Sequence, residues 1–266
     1  MSHQKCAPYH CKLMSKDMTN TKTSSKPAPI KKAMLMAAGF GTRMRPLTDT
    51  MPKPMVPFLG KPLIDHALDK LAAVGVEEVV VNVHYKADML EDHLASRTTP
   101  RIIIANEREK ILDTGGGLLK ARADLGEDPI FTFNSDSVWM EGQGAALQRL
   151  IDFWDPEKMD ALLMIAPATS TIGEVRRGDF TMDGEGHLTR RHELQVAPFM
   201  FAGVQIFNPK LLDGAPKGKD VFSTNIFWDQ AIETGRLYGL RMDGVWMHVG
   251  TPGDLSEAET FMKSAL

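Results

Sequence analysis

Apolar and polar positions change their spacing in a regular order along this chain. Residues 33–37 form a short apolar run that ends just before Gly39, the pattern of a buried strand. In residues 62–74 the apolar side chains Leu63, Ile64, Ala67, Leu68 and Leu71 recur at helical spacing, with Pro62 suited to a first turn. Residues 78–83 are β-branched and predict a second strand, 87–96 a second helix and 101–105 a third strand. A helix over 118–125 and a fourth strand over 129–134 follow. Strand and helix in this alternation imply right-handed βαβ units and a mostly parallel sheet with helices on both faces.

The second half is more mixed. Residues 161–166 and 199–207 read as strands, and 178–190 as a hairpin turning at Asp183-Gly184. A helix is expected over 223–234 with Ser223 as its N-cap, then short strands over 237–241 and 245–249. A last helix opens at Thr251-Pro252 and ends near Ser264. Residues 1–29 are rich in Lys, Ser, Thr and Pro and show almost no apolar periodicity. They are expected to be disordered, with one folded domain over 30–266.

Composition narrows the function classes. A net charge of −3 argues against a dedicated nucleic-acid binder. No run of 18 apolar residues is present, so no membrane helix is expected, and the cytoplasm follows as the expected location. The two cysteines, Cys6 and Cys11, lie outside the expected domain, so it holds no disulfide. A metal site on that pair would need His3 and His10, and tail composition without further role is the favoured reading.

The chemistry concentrates after the first strand, in Ala38-Gly39-Phe40-Gly41-Thr42-Arg43-Met44-Arg45-Pro46. Two glycines let backbone pass close to a ligand and present several N–H donors together. Arg43 and Arg45 follow, and Lys53 stands in Pro52-Lys53-Pro54. Backbone donors with three cations describe a polyphosphate cradle. A dinucleotide loop needs a small residue where Met44 stands, which disfavours an oxidoreductase, and a P-loop needs Gly-Lys-Ser/Thr. Asp136 ends the run Asn134-Ser135-Asp136 after a strand, at the ligand edge of a parallel sheet. There a carboxylate suits Mg²⁺, so Asp136 is the expected metal ligand. Asp113-Thr114-Gly115-Gly116-Gly117 sits before a helix, where Asp113 or Thr114 is placed to cap it and the glycines leave room for a flat ring.

Residues 37–48 and 52–54 together resemble the signature of the sugar-phosphate nucleotidyltransferase family without departure. The similarity extends through Pro62-Leu63-Ile64, residues 113–117, residues 134–136 and Val249-Gly250-Thr251-Pro252, and so covers nearly all of 31–266. It is strongest to the bacterial N-acetylmuramate-1-phosphate uridylyltransferase branch, whose motifs are similar to residues 112–117 and 177–180. The resemblance implies an α/β, Rossmann-like doubly wound fold with a mostly parallel mixed sheet, of the nucleotide-diphospho-sugar transferase type. It implies transfer of a nucleoside monophosphate from an NTP, UTP in that branch, to a sugar 1-phosphate in peptidoglycan recycling.

The resemblance also implies roles for single residues. Ala37, Ala38, Gly39, Gly41, Thr42, Arg43 and Lys53 hold the nucleotide, with Gly116 and Gly117 near base and sugar. Arg43 and Lys53 are catalytic. Asn134, Arg177 and Asp179 meet the sugar phosphate, and the cofactor is Mg²⁺, with Mn²⁺ as the alternative. Ser135 stands where the family has Gly. His248 stands where members carry a second metal-binding Asp, and metal ligand, phosphate hydrogen-bond partner and structural histidine remain open for it. The expected partners are small molecules, with the chain a monomer or small homo-oligomer. Mannose-1-phosphate guanylyltransferase activity and a regulatory protein that keeps a weakened nucleotide-sugar cleft are the alternatives.

Overall fold

The structure, a computed structural model, describes residues 28–173 and 177–265. The expectations for Cys6, Cys11, His3 and His10 fall outside these residues, as does nearly all of the segment 1–29 expected to be disordered. The first strand, β1 (Lys32–Met36), is fully buried at its centre. It pairs in parallel with β2 (Glu78–Val83) on one side and with β4 (Ile130–Asn134) on the other; β3 (Arg101–Asn106) extends the β2 side, also in parallel. The helices α1 (Leu63–Ala73), α2 (Ala87–Leu94) and α3 (Asp113–Lys120) lie between these strands in sequence. This is the doubly wound, mostly parallel arrangement that the alternation predicts.

The second half adds antiparallel strands. After β5 (Ser137–Met140) and α4 (Ala146–Phe153) come β6 (Ala161–Pro167), the hairpin β7 (Phe180–Met182) and β8 (Leu188–Arg190), and β9 (Phe199–Phe207). Strand β9 runs antiparallel to β4, β6 and β7, which makes the sheet mixed. Helix α5 (Asn225–Glu233) leads to β10 (Leu237–Arg241), which joins β6 in parallel and brings the sheet to nine strands. Finally, β11 (Val245–His248) pairs with β5 as a separate two-stranded ribbon, and α6 (Pro252–Ala265) closes the described chain.

Successive side chains of a strand point to opposite faces, and the core divides accordingly. Ala33, Leu35, Val79, Val81, Phe131 and Phe133 pack on one face with Ile64, Leu68 and Leu71 of α1. Met34, Val80, Ile130, Leu163 and Ile165 pack on the other with Leu118 of α3 and Phe227 and Trp228 of α5.

Two elements differ from the sequence expectation. Helix α3 begins at Asp113 rather than at 118, so the three glycines lie inside it. Glycine is a poor helix former, yet here the segment 220–222 packs so closely that side chains are excluded: a Cβ on Gly116 would lie 2.0 Å from the Asp220 carbonyl oxygen. Gly115 and Gly116 N–H groups both donate to the Phe222 carbonyl, which fixes the helix start from outside. Helix α5 begins at Asn225, one residue after Thr224, and Ser223 Oγ accepts only the Asn225 N–H in a preceding turn.

Candidate active site

The glycine loop after β1 and residues 134–136 at the end of β4 lie at the C-terminal edge of the parallel strands. The chain goes to opposite sides of β1 to form β2 and β4, so a crevice opens where the loop after β1 faces the loop after β4. A cavity of about 280 Å³ occupies this crevice. Ala37, Ala38, Gly39 and Gly41 of the first loop line it together with Lys53, and Asn134 and Asp136 line it from the other side. Asn82, Glu107, Ile111, Asp113 and Thr114 complete it toward β2 and β3.

The geometry of the glycine loop is tightly specified. Gly41 has φ +63°, and a Cβ there would lie 2.9 Å from Lys53 Cβ and 3.0 Å from Thr48 Cγ2. Thr48 Oγ1 donates to the Gly41 carbonyl at 2.9 Å, which holds the turn from below. Only glycine satisfies both the left-handed backbone and the close approach of Lys53. Gly39 has no neighbour within 4 Å of a Cβ position and leaves the backbone open to the cavity.

Lys53 Nζ lies 2.5 Å from Asp136 Oδ2, with their side chains 14% and 28% exposed. Burial pushes the Asp136 carboxyl up, but the Lys53 charge and hydrogen bond, with His248 adding, outweigh it and hold the group below the usual carboxylate range. Asp136 is therefore an anion, and Lys53 bridges the glycine loop to it.

A second cavity, also of about 280 Å³, adjoins the first across Asn134 and Asp136, which line both. Arg43, Ser137, Asp179, Phe201, Gly203, Trp246 and His248 line this one. Asp179 is anchored by the Phe201 N–H, which donates to its Oδ2 at 2.9 Å. Trp246 Nε1 donates to Ser137 Oγ at 2.9 Å, and Ser137 Oγ donates to the Ala202 carbonyl, so this hydroxyl ties β11, β5 and β9 together beneath Asp136. His248 and Ser137 are opposite one another in the β11–β5 ribbon. Burial lowers the pKa of His248, Asp136 opposes, and Lys53 and Arg43 reinforce it, so the ring gives up its proton more readily than a free imidazole.

The structure thus brings Ala37, Ala38, Gly39, Gly41, Lys53, Asn134 and Asp136 to the first cavity and Arg43, Asp179 and His248 to the second. It does not bring all expected residues there. Arg45 pairs with Asp49 at the surface, at 3.2 Å. Thr42 sits in a short turn, where its carbonyl accepts the Arg45 N–H, and does not line either cavity. Gly116 and Gly117 are buried inside α3, where they admit Asp220, Glu107 and Asn82 rather than open a wall. Arg177 receives the Ala197 N–H on its carbonyl and is not part of the cavity lining.

Sequence reasoning passes over Asn82 and Glu107, which line the first cavity while being 4% and 1% exposed. The available signal is a lone amide inside the β-branched run of β2, since a polar side chain in a fully buried strand requires partners.

A divalent ion fits this donor set. Asp136 supplies a hard carboxylate oxygen, and His248 Nε2 is buried with no hydrogen-bond partner among the described residues. An imidazole ligand suits Mn²⁺ better than Mg²⁺. Among the described residues no group of three His, Cys, Asp or Glu side chains is arranged to hold a metal, so phosphate and water oxygens must fill the remaining positions.

The family model described as nucleotidyl transferase matches residues 32–265. This chain belongs to that family. Among members of the nucleotidyl transferase family, it is 44% identical over 237 residues to the N-acetylmuramate alpha-1-phosphate uridylyltransferase of Caulobacter vibrioides, across 88% of this chain and 97% of that one. It is 32% identical over 231 residues to mannose-1-phosphate guanylyltransferase 1 of Arabidopsis thaliana, and there it spans 62% of the relative's length. The fold matches a UDP-glucose pyrophosphorylase solved with UDP-glucose, with TM-score 0.70, 19% identity, and 89% and 100% of the two chains covered. It also matches the inositol-1-phosphate CTP transferase of T. maritima, with TM-score 0.71, 17% identity, and 89% and 96% coverage. No helix among the described residues is long and apolar enough to cross a membrane.

Proposed function

We propose that this nucleotidyl transferase moves a uridylyl group from UTP to N-acetylmuramate α-1-phosphate, giving the UDP-sugar and pyrophosphate. The observation that carries the reading is the pair of adjoining cavities sharing Asn134 and Asp136, with Lys53 at the seam. One cavity with open backbone at Gly39 suits a triphosphate, and the other suits a sugar phosphate. Similarity to the Caulobacter vibrioides uridylyltransferase over almost its whole length supports the choice of substrates.

The acceptor needs no general base. A phosphate monoester has a second pKa of about 6 and is largely dianionic near neutrality. One of its oxygens attacks the α-phosphorus in line; the new P–O bond forms as the bond to the β-phosphate oxygen breaks, and the electron pair leaves with pyrophosphate. The barrier lies in bringing two anions together. Lys53 and the N–H groups of the glycine loop hold the donor phosphates, while Arg43 faces the acceptor side and offsets charge as it shifts. Asp136, with His248 near it, would hold a divalent ion, which would supply further charge neutralisation. The reaction proceeds among water-soluble small molecules in the cytoplasm, without nucleic acid.

Pyrophosphate release across a grid of NTPs and sugar 1-phosphates tests this. Selective release with UTP and N-acetylmuramate α-1-phosphate is expected. Release with GTP and mannose 1-phosphate alone would favour the guanylyltransferase alternative, and none with any pair would favour a binding protein.

A further inference from the structure

Glu107 is a buried carboxylate with no ion pair among the described residues, an arrangement that is costly unless hydrogen bonds compensate. Its compensation is a directed chain. The Ala37 N–H donates to Asn82 Oδ1 at 2.7 Å, Asn82 Nδ2 donates to Glu107 Oε1 at 2.9 Å, and the Leu112 N–H donates to Glu107 Oε2 at 3.2 Å. The chain begins at the first residue of the glycine loop and ends at the residue before α3. Gly117 makes room for it, since a Cβ there would stand 3.0 Å from Glu107 Oε1 and 3.2 Å from Asn82 Nδ2.

Along the sheet edge the order is Asp136 after β4, the glycine loop after β1, Asn82 on β2 and Glu107 after β3. With the phosphates at the glycine loop and Lys53, the nucleoside end of the donor falls toward Asn82 and the wall of Ile111, Asp113 and Thr114. We infer that Asn82 and Glu107 are positioning residues that fix this wall at a set distance from the phosphate loop, and so set the affinity for the NTP. The inference rests on the functional reading above.

The chain makes an unusual demand. Glu107 accepts at both oxygens, whereas glutamine offers one acceptor and one donor. In Glu107→Gln, whichever way the two amides are turned, one N–H meets another N–H at Ala37, at Leu112 or between the side chains. Exchanging the groups, as Asn82→Asp with Glu107→Gln, removes the conflict. The carboxylate now at position 82 accepts from the Ala37 N–H and from the amide introduced at position 107, and the oxygen of that amide accepts from the Leu112 N–H. All three bonds survive with the charge moved to the other side chain.

The test compares wild type, E107Q and N82D/E107Q by steady-state kinetics, calorimetric UTP binding and thermal unfolding. In E107Q, KM for UTP is expected to rise about tenfold, the factor that ~1.4 kcal/mol represents. Turnover at saturation and KM for the sugar phosphate should stay within about threefold of wild type. The exchanged pair should bring KM for UTP back to within about twofold of wild type. An unchanged UTP affinity in E107Q, or a folded exchanged pair as impaired as E107Q, overturns the inference; the second result would mean the carboxylate at 107 acts on the nucleotide directly. If E107Q does not fold, the exchanged pair decides, and its own failure to fold counts against the inference. A wild-type protein that binds UTP but releases no pyrophosphate in the grid overturns the functional reading instead.

Discussion

Lys53 and Asp136 are 83 residues apart in sequence, yet the ammonium of one lies 2.5 Å from the carboxylate of the other, at the boundary between two cavities. Lys53 reaches from the turn after the glycine loop and Asp136 from the turn after β4. The parallel pairing of β1 with β4 brings these turns together.

Removing one partner leaves the other charge partly buried and unpaired. Lys53→Met is expected to lower stability by about 1–3 kcal/mol, less than a fully buried pair because water reaches both groups. Turnover should fall by about a hundredfold or more. Lys53→Met with Asp136→Asn should recover most of the stability and none of the activity. Urea denaturation and pyrophosphate release read the two effects separately, and parallel recovery of both would count against a catalytic role for the pair.

Arg43→Ala should leave the thermal midpoint within a few degrees of wild type while reducing turnover by about 10²-fold, the usual scale for loss of one charge-stabilising donor. Normal turnover in this variant would remove Arg43 from the mechanism.

Gly41→Ala forces a side chain into a left-handed backbone and against Lys53. The strain is of order 1–3 kcal/mol. The expected outcome is a lowered melting temperature together with a raised KM for UTP, because the loop relieves the contact by moving away from Lys53. Wild-type values of both would show that the loop tolerates a Cβ.

The order of the elements is legible in the sequence because each buries one face against the sheet, and apolar spacing reports that directly. The run Leu63, Ile64, Ala67, Leu68, Leu71 becomes the buried face of α1. What escapes is non-local. Glycines argue against a helix at 115–117 in any local scale, and α3 is explained by the chain at 220–222 pressing on Gly115 and Gly116 and by Glu107 and Asn82 against Gly117. The ribbon of β5 and β11 joins segments more than a hundred residues apart, so nothing local marks Ser137 as the residue that ties Trp246 and Ala202 together beside Asp136. Asn82 and Glu107 are each other's justification, and neither shows its partner in a one-dimensional pattern.

Acid should weaken the fold before carboxylates titrate. Burial lowers the pKa of His66, whose Nε2 lies 2.8 Å from the Phe58 carbonyl oxygen, and of His248. Unfolded chains take up these protons near pH 6.5, the native state only at lower pH. The unfolded state therefore binds more protons as pH falls through that range, and stability must drop. Urea midpoints should be lower at pH 5.5 than at pH 7.5, with a smaller difference in His66→Gln. A midpoint that rises on acidification would contradict the burial argument.

Residues 39–53 are proposed to wrap a triphosphate opposite Asp136. A crystal structure with UTP, a divalent cation and no acceptor would show whether they do. Phosphate oxygens are expected within hydrogen-bond distance of the Gly39–Gly41 amides and Lys53, with the cation on Asp136 and the uracil toward Asn82. UTP bound elsewhere, with that crevice holding only water, would contradict it.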